Sequence, residues 1–531
     1  MPGPIWNEAQ LRAIEARGSD LLVSAAAGSG KTAVLVERLL RRVTQEGVDV
    51  DRFLVVTFTR AAASEMLAKF TRRLSDAVAE RPDDRRLRRQ LRLLPRAQVT
   101  TVHGFCSSVL REHFQPAGLP PDFRVADETE AGNLRAQTLE TLIDARYEAA
   151  DPDFLALVDA LAATRDDRRL LRIVQDVYAR MTAHPDPAAW ARDVRRIAEA
   201  SCTEDPASTP TGAYLLSDAR AALRHHAARY AGVAELIAED PALVAYAACI
   251  DAELAALDEL STVFETGSWD DARTALQGVS FGRLPAARGA AEEDRARVKA
   301  VRDGWKEAHR SLLQRFSRRA EDVRADARTA LPLTHALMRL VLDFDAAFTD
   351  AKRRRGLVDF SDLEHLTLTL LRAPDGAPTP LARELSAHFE EILVDEYQDT
   401  NAVQDAIFTA LARRNLFMVG DVKQSIYRFR LADPSIFLSR YNAYPDEGGE
   451  GEARRVILSV NYRSRHEVLD ACNALFAELF SPALGELSYT EREYLRPGRV
   501  FPEGEGYETE LQLIPRGDAA EAEYAARRIA Q

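Results

Sequence analysis

The chain has 531 residues, more than a single hydrophobic core organises, so about three or four domains are expected. Its 46% apolar and 29% charged residues, with no low-complexity tract, exclude the collagenous and intrinsically disordered classes. The 70 basic and 83 acidic residues leave a formal net charge of -13, which excludes a uniformly cationic coat but not a locally basic groove.

Met1 to Glu8 carry no basic and apolar leader, and no uncharged stretch approaches ~18 residues, so a cytoplasmic protein without a membrane segment is expected. Leu21–Ser24 has strand character and leads through a glycine loop into a helix from about Lys31. Phe53–Phe58 and Gln98–Val102 repeat the pattern, and such alternation is the signature of parallel βα units. Arg85, Arg86, Arg88, Arg89 and Arg92 fall on one predicted helix and read as a solvated face. From about Phe123 to about Asp350 strand signals vanish and apolar residues recur at helical spacing, which predicts a helical insertion. Lys352, Arg353, Arg354 and Arg355 close it and are candidates for contact with a nucleic-acid backbone.

Strand signals return at Glu391–Val394, Leu416–Val419, Val456–Val460 and Glu508–Ile514, with a glycine-rich acidic loop over 446–452. Ala519–Ala530 reads as an amphipathic helix that meets Gln531 with no capping residue, and too few strands follow Arg454 for a separate lobe. A truncated second lobe is therefore expected. Cys106, Cys202, Cys249 and Cys472 stand far apart, a pattern of free thiols and not of a zinc site.

Two strings carry chemistry by themselves. Ala25, Ala26, Ala27, Gly28, Ser29, Gly30, Lys31 and Thr32 fit the phosphate-loop pattern between a strand and a helix. The glycines let the backbone approach phosphate, and the helix N-terminus attracts its charge. Lys31 would reach the β- and γ-phosphates of ATP, and the Thr32 hydroxyl would bind Mg²⁺. Further on, Asp395 and Glu396 end a buried strand, where parallel sheets open their ligand crevice. Asp395 would hold Mg²⁺, and Glu396 would orient and deprotonate the attacking water. A nucleotide switch manages with one acid, so the second favours turnover.

Seven strings in order then resemble the UvrD/Rep/RecB-like superfamily-one helicases. Asn7-Glu-Ala-Gln10 is similar to the Q motif, which makes Gln10 the adenine reader. Thr57 to Met66 and Thr101 to Cys106 resemble motifs Ia and Ib along the single-strand path, and Gly356 to Leu363 resembles the return into the first motor lobe. Asp395 to Asp399 resembles motif II, Val419 to Arg430 motif III, and Asn461 to Ser464 motif IV. Within the superfamily, Ser24 to Lys31 and Phe429 to Pro434 look like the AddA type; UvrD-like helicases usually carry glycine where Leu431 stands. Arg60 departs from the usual asparagine, and motifs V and VI and a nuclease domain have no counterpart here.

The resemblance implies a RecA-like parallel α/β lobe over 1–122 and 351–435, interrupted by a helical insertion over 123–350. The start of a second RecA-like lobe would follow over 436–531. It implies that Gln424 senses the γ-phosphate and that Arg463, from the facing lobe, neutralises charge on the transferring group, a role worth about 10³–10⁵ in rate. Contacts to DNA would come from Thr57, Phe58, Thr59, Arg60, Thr101, His103, Tyr427, Phe429 and Arg430. Aromatic stacking suits a motor indifferent to sequence, though Phe58 also reads as core and His103 as a structural hydrogen-bonder. The implied protein is an ATP-dependent DNA helicase moving 3′ to 5′ in double-strand break processing, in a heterodimer with an AddB-type partner, on single-stranded DNA and broken duplex ends. The alternative is an ATP- and DNA-binding module without productive turnover, since an arginine of motif VI ordinarily completes the site.

Overall fold

The computed structural model describes residues 6–161, 167–446, 451–481, 487–502, 509–515 and 517–530. Most of the expected acidic loop, 447–450, and the side chain of Arg430 lie outside the described residues. The chain divides into two compact units, residues 1–121 with 360–531, and residues 122–359.

The first unit is built on one six-stranded sheet of β1 (Leu21–Ala25), β2 (Phe53–Thr57), β3 (Gln98–Thr101), β4 (Glu391–Val394), β5 (Leu416–Gly420) and β6 (Arg454–Leu458). The order across it is β3-β2-β4-β5-β1-β6, and every pairing is parallel. β1, β2, β4 and β5 are buried at every position, as their unbroken apolar runs require of strands covered on both faces. Leu35, Leu39 and Val43 of α2 (Lys31–Thr44) and Phe70 and Leu74 of α3 (Arg60–Glu80) pack with Val23, Val55, Leu393 and Phe417 of the sheet. Because the strands share one direction, the C-terminal ends of β1, β4 and β5 open on the same edge.

Two expectations need correction here. The strand at Val456–Val460 is expected in a second lobe, but β6 lies in the first sheet, in register with β1 from Leu21 opposite Arg454 to Ala25 opposite Leu458. That edge of β1 offers unpaired backbone groups, and burying Val456 and Leu458 there completes the sheet. The strand expected over Glu508–Ile514 does not form across residues 509–515; Leu511 and Leu513 stay exposed with no neighbouring strand. Glu508 itself lies outside the described residues.

The second unit is helical apart from a two-residue parallel pairing of Arg124–Val125 with Leu357–Val358. One of its apolar clusters gathers Leu134, Leu139, Val174, Phe344 and Phe348, and another gathers Leu223, Leu257, Phe264 and Trp305. Glu253 is buried among the second cluster, paired with Arg302 and accepting from the Tyr230 hydroxyl at 2.8 Å. The last helix, Ala320–Arg354, runs through the expected boundary at 350 and is left at Gly356, whose φ of 63° supplies the left-handed turn. Lys352 is buried, its Nζ 2.9 Å from Asp359 and 4.3 Å above the Phe348 ring, so it is not free for a phosphate as the sequence suggested. Arg353, Arg354 and Arg355 remain exposed. Among the described residues no helix is long and apolar enough to cross a membrane, and the four cysteines are free thiols.

Candidate active site

The loop after β1 turns on two glycines, Gly28 at φ 70° and Gly30 at φ 86°. This is the left-handed region that side chains disfavour. Gly30 occupies the N-cap of α2, and no acid stands in the first turn of that helix. Its leading N–H groups and positive dipole end are therefore left for an anion. The loop forms one wall of a cavity of about 380 Å³. Gly28 to Thr32, Lys69, Glu396, Gln424 and Arg463 all line it. Lys31 Nζ donates to Glu396 Oε2 at 2.7 Å, joining residues 365 apart in sequence. Ala25 and Ala26 stand behind this wall, buried at the end of β1, which removes them from the expected phosphate contacts.

Asp395 follows β4 directly, and its Oδ1 accepts from the Glu396 N–H at 3.0 Å. Burial, reinforced by the neighbouring Glu396, pushes its carboxyl up to about 6 despite the pull of Lys31. Asp399 is pushed up to about 6 by the same causes, and its buried Oδ1 has no hydrogen-bond partner. Such crowded oxygens, short of positive charge, fit a hard divalent cation. Among the described residues no three metal-ligating side chains converge. The donor set therefore fits a cation held by one or two side chains, as Mg²⁺ is, with phosphate and water supplying the rest.

Glu396 sits at φ 52° and ψ 45°, a left-handed conformation that costs a non-glycine residue roughly 1–2 kcal/mol. Gln398 holds it there, its Nε2 donating to Glu396 Oε2 at 3.0 Å while its Oε1 accepts from Asp421 N at 3.0 Å. The approach is close enough that a Cβ on Gly420 would collide with the Gln398 amide. Gln398 escapes a reading of the sequence, although it lies within the acidic string itself.

Gln424 reaches the cavity from a short 3₁₀ turn after β5, its Nε2 donating to Asp421 Oδ2 at 2.7 Å. Arg463 reaches it from the opposite side. The resemblance places it on a facing lobe; instead it belongs to the same compact unit as the phosphate loop. Asn461 makes the tether, donating to Ala27 O at 2.7 Å and accepting from the N–H groups of Arg463 and Ser464 at 2.8 Å each. Tyr462 N donates to Gly28 O at 2.9 Å, and its hydroxyl accepts from Asn7 Nδ2 at 2.9 Å. Gln10 does not line the cavity. Its Oε1 caps Asn7 N and its Nε2 donates to Ser29 O at 3.0 Å, so it braces the loop from behind. Asn461 and Lys69 also go unmarked by sequence reasoning; the asparagine's signal is its place beside Arg463, whereas Lys69 carries none.

The residues expected at DNA separate into two groups. Phe58 is half-buried and stacks on Tyr427 with ring centroids 4.9 Å apart, Tyr427 lies 5.9 Å from Phe429, and Phe429 is 76% exposed. Phe58 is therefore part of a surface aromatic cluster and not of the core. Arg60 is exposed at the start of α3. Thr57, by contrast, is buried with its hydroxyl donating to Thr59 O at 2.9 Å, so it is withdrawn from the surface. Thr59 and Thr101 cap helices through Ala62 N and Gly104 N. His103 pairs with Glu364 at 3.0 Å and leans on Phe360, a structural role. The arginines at 85, 88, 89 and 92 do form an exposed helical face, over Arg85–Leu93.

Residues 6–445 match the family model described as the UvrD/REP helicase N-terminal domain. Over 535 residues the chain is 41% identical to a Geobacillus kaustophilus protein named as a subunit of an ATP-dependent helicase/nuclease, covering 98% of this chain and 43% of that one. Proteins of the same name from Geobacillus thermodenitrificans and Pelotomaculum thermopropionicum are 40% and 41% identical, over 98% and 97% of this chain and 43% and 42% of theirs. The chain thus spans less than half the length of the curated relatives it matches.

Proposed function

The chain belongs to the UvrD/REP helicase family, and from that premise we propose that it is the ATP-hydrolysing part of a DNA translocase. The observation that carries the proposal is the gathering of Lys31, Thr32, Glu396, Gln424 and Arg463 on one cavity although they span residues 31 to 463. In this reading the N–H groups of the loop and Lys31 bind the triphosphate, and Thr32 and Asp395 hold Mg²⁺, which when bound neutralises phosphate charge. Glu396 takes the proton of the attacking water. Gln424 contacts the γ-phosphate, Arg463 and Lys69 supply positive charge, and Gln10 keeps the loop in shape beside the adenine site. Phe58, Tyr427 and Phe429, with Arg60 and Arg430, offer single-stranded DNA a stacking and charged surface.

The relatives' name further supports work as one member of a heterodimer, beside an AddB-type partner, on broken DNA ends in recombination repair. Movement 3′ to 5′ and residence in the cytoplasm rest on the resemblance alone. Single-turnover hydrolysis of labelled ATP, with the chain in excess, tests the central claim. Oligothymidylate is expected to accelerate it, and Phe429→Ala or Tyr427→Ala should weaken DNA binding by about 1–3 kcal/mol each. Hydrolysis absent with and without DNA would refute the motor reading and leave a nucleotide-binding module.

Asp395 gives the cation site a pH signature. Its folded-state value of about 6 lies above the ordinary 3.8, so its contribution to stability is full below pH ~4 and is lost as pH rises through about 6. The loss, on the order of 3 kcal/mol, is what a bound cation would offset. Mg²⁺ should therefore raise the melting temperature clearly at pH 8 and little at pH 5. An equal effect at both would remove Asp395 from the metal site.

A further inference from the structure

A chain of buried charges leads away from the cavity wall into residues 487–497. Gln424 Nε2 rests on Asp421 Oδ2 at 2.7 Å. The other Asp421 oxygen lies 2.9 Å from Lys423 Nζ, which lies 2.8 Å from Glu493 Oε2. The side chains of Asp421, Lys423 and Glu493 are 3%, 7% and 4% exposed, so these contacts are shielded from water. The remaining Glu493 oxygen accepts from the Tyr441 hydroxyl. Burial alone would pull the Lys423 ammonium down, but the two carboxylates outweigh it and hold the group above its usual range.

Buried ion pairs are weak contributors to stability, because desolvation cancels most of the attraction. Their value lies in fixing geometry: a carboxylate with both oxygens bound by charged or amide donors has little freedom left. Asp421 is in that position, and its N–H is also bound, by Gln398 Oε1 at 3.0 Å. One residue thereby meets the group that bonds Glu396, the amide of Gln424 and an ammonium drawn toward Glu493.

We propose that Glu493 is a positioning residue for nucleotide sensing, holding Lys423 against Asp421 so that the Gln424 amide faces the γ-phosphate. The segment 487–497 is tied to the nucleotide state through this link. The inference rests on the reading of Gln424 given under the proposed function.

The test compares affinities of the chain for ADP and for the slowly hydrolysed ATPγS, with Mg²⁺, by isothermal titration. Gln424→Ala should lose the preference for the triphosphate; if it does not, the sensing role of Gln424 fails and the inference falls with it. Given that loss, Glu493→Gln should reduce the same preference roughly tenfold, leave ADP affinity within about twofold, and be rescued by Glu493→Asp. The Glu493→Gln/Gln424→Ala double variant should be no worse than Gln424→Ala, because one acts through the other. A Glu493→Gln protein that melts lower yet keeps its preference, or losses that add in the double variant, would overturn the proposal. Should Glu493→Gln not fold, Tyr441→Phe frees the other carboxylate oxygen. Reduced preference in that variant then supports the link, and unchanged preference overturns it.

Discussion

Glu396→Gln is expected to slow ATP hydrolysis by about 10²–10⁴-fold, the usual contribution of a positioned general base, while ATP binding survives. The affinity can even rise. Phosphate oxygens would compete with Glu396 for the Lys31 ammonium, and the present 2.7 Å pair is only partly shielded, with side chains 14% and 36% exposed. A pair of that exposure is worth about 1 kcal/mol or less, so removing its charge tightens ATP by up to about fivefold. Glutamine keeps the shape and can still meet the Gln398 amide that bonds Glu396 Oε2 at 3.0 Å. Single-turnover hydrolysis and nucleotide titration on the same preparation separate the two effects. Turnover that persists within about threefold of the parent would assign the base elsewhere, and loss of binding would make Glu396 a structural partner of Lys31.

What could be read from the sequence was chemistry that demands local spacing. A phosphate loop needs its glycines, lysine and threonine within eight consecutive positions, and Gly28, Gly30, Lys31 and Thr32 take the conformations and places that requirement sets. Buried parallel strands announce themselves by unbroken apolar runs, and β4 has the bounds its residues suggested.

What stayed hidden was pairing between distant segments. Nothing in Arg454–Leu458 says that it borders β1, because an edge strand and the first strand of a new lobe share one pattern. The clamp of Asn461 on Ala27 O is likewise a contact 434 residues long in sequence. Residue type also misled where one side chain can serve two ends: Thr57 and Gln10 turn their polar groups inward to Thr59 O and Ser29 O. Leu431 stands at φ 64°, where UvrD-like helicases usually carry glycine, so the backbone shape persists here at a strain of about 1–2 kcal/mol.

The second large effect is expected at Gly28→Ala, and its size comes from two separable terms. At φ 70° alanine costs about 1–2 kcal/mol in backbone strain alone. The added Cβ would also stand 2.8 Å from Asn461 Nδ2 and 2.9 Å from Arg463 Cβ. Neither neighbour can yield cheaply. Asn461 is held by Ala27 O at 2.7 Å and by the N–H groups of Arg463 and Ser464, and Tyr462 N is bound to Gly28 O itself. Relief requires breaking at least one of these bonds, at a further cost of about 1–3 kcal/mol, and it swings Arg463 away from the cavity. ADP affinity should fall by more than about tenfold, and the melting temperature by roughly 5–15 °C. Gly18→Ala supplies the control: Gly18 has φ 72° but no heavy atom within 4 Å of the place its Cβ would take. It should bear the backbone strain alone and bind ADP normally. If the two variants lose ADP affinity equally, the contact between the phosphate loop and Asn461–Arg463 is not what shapes the site.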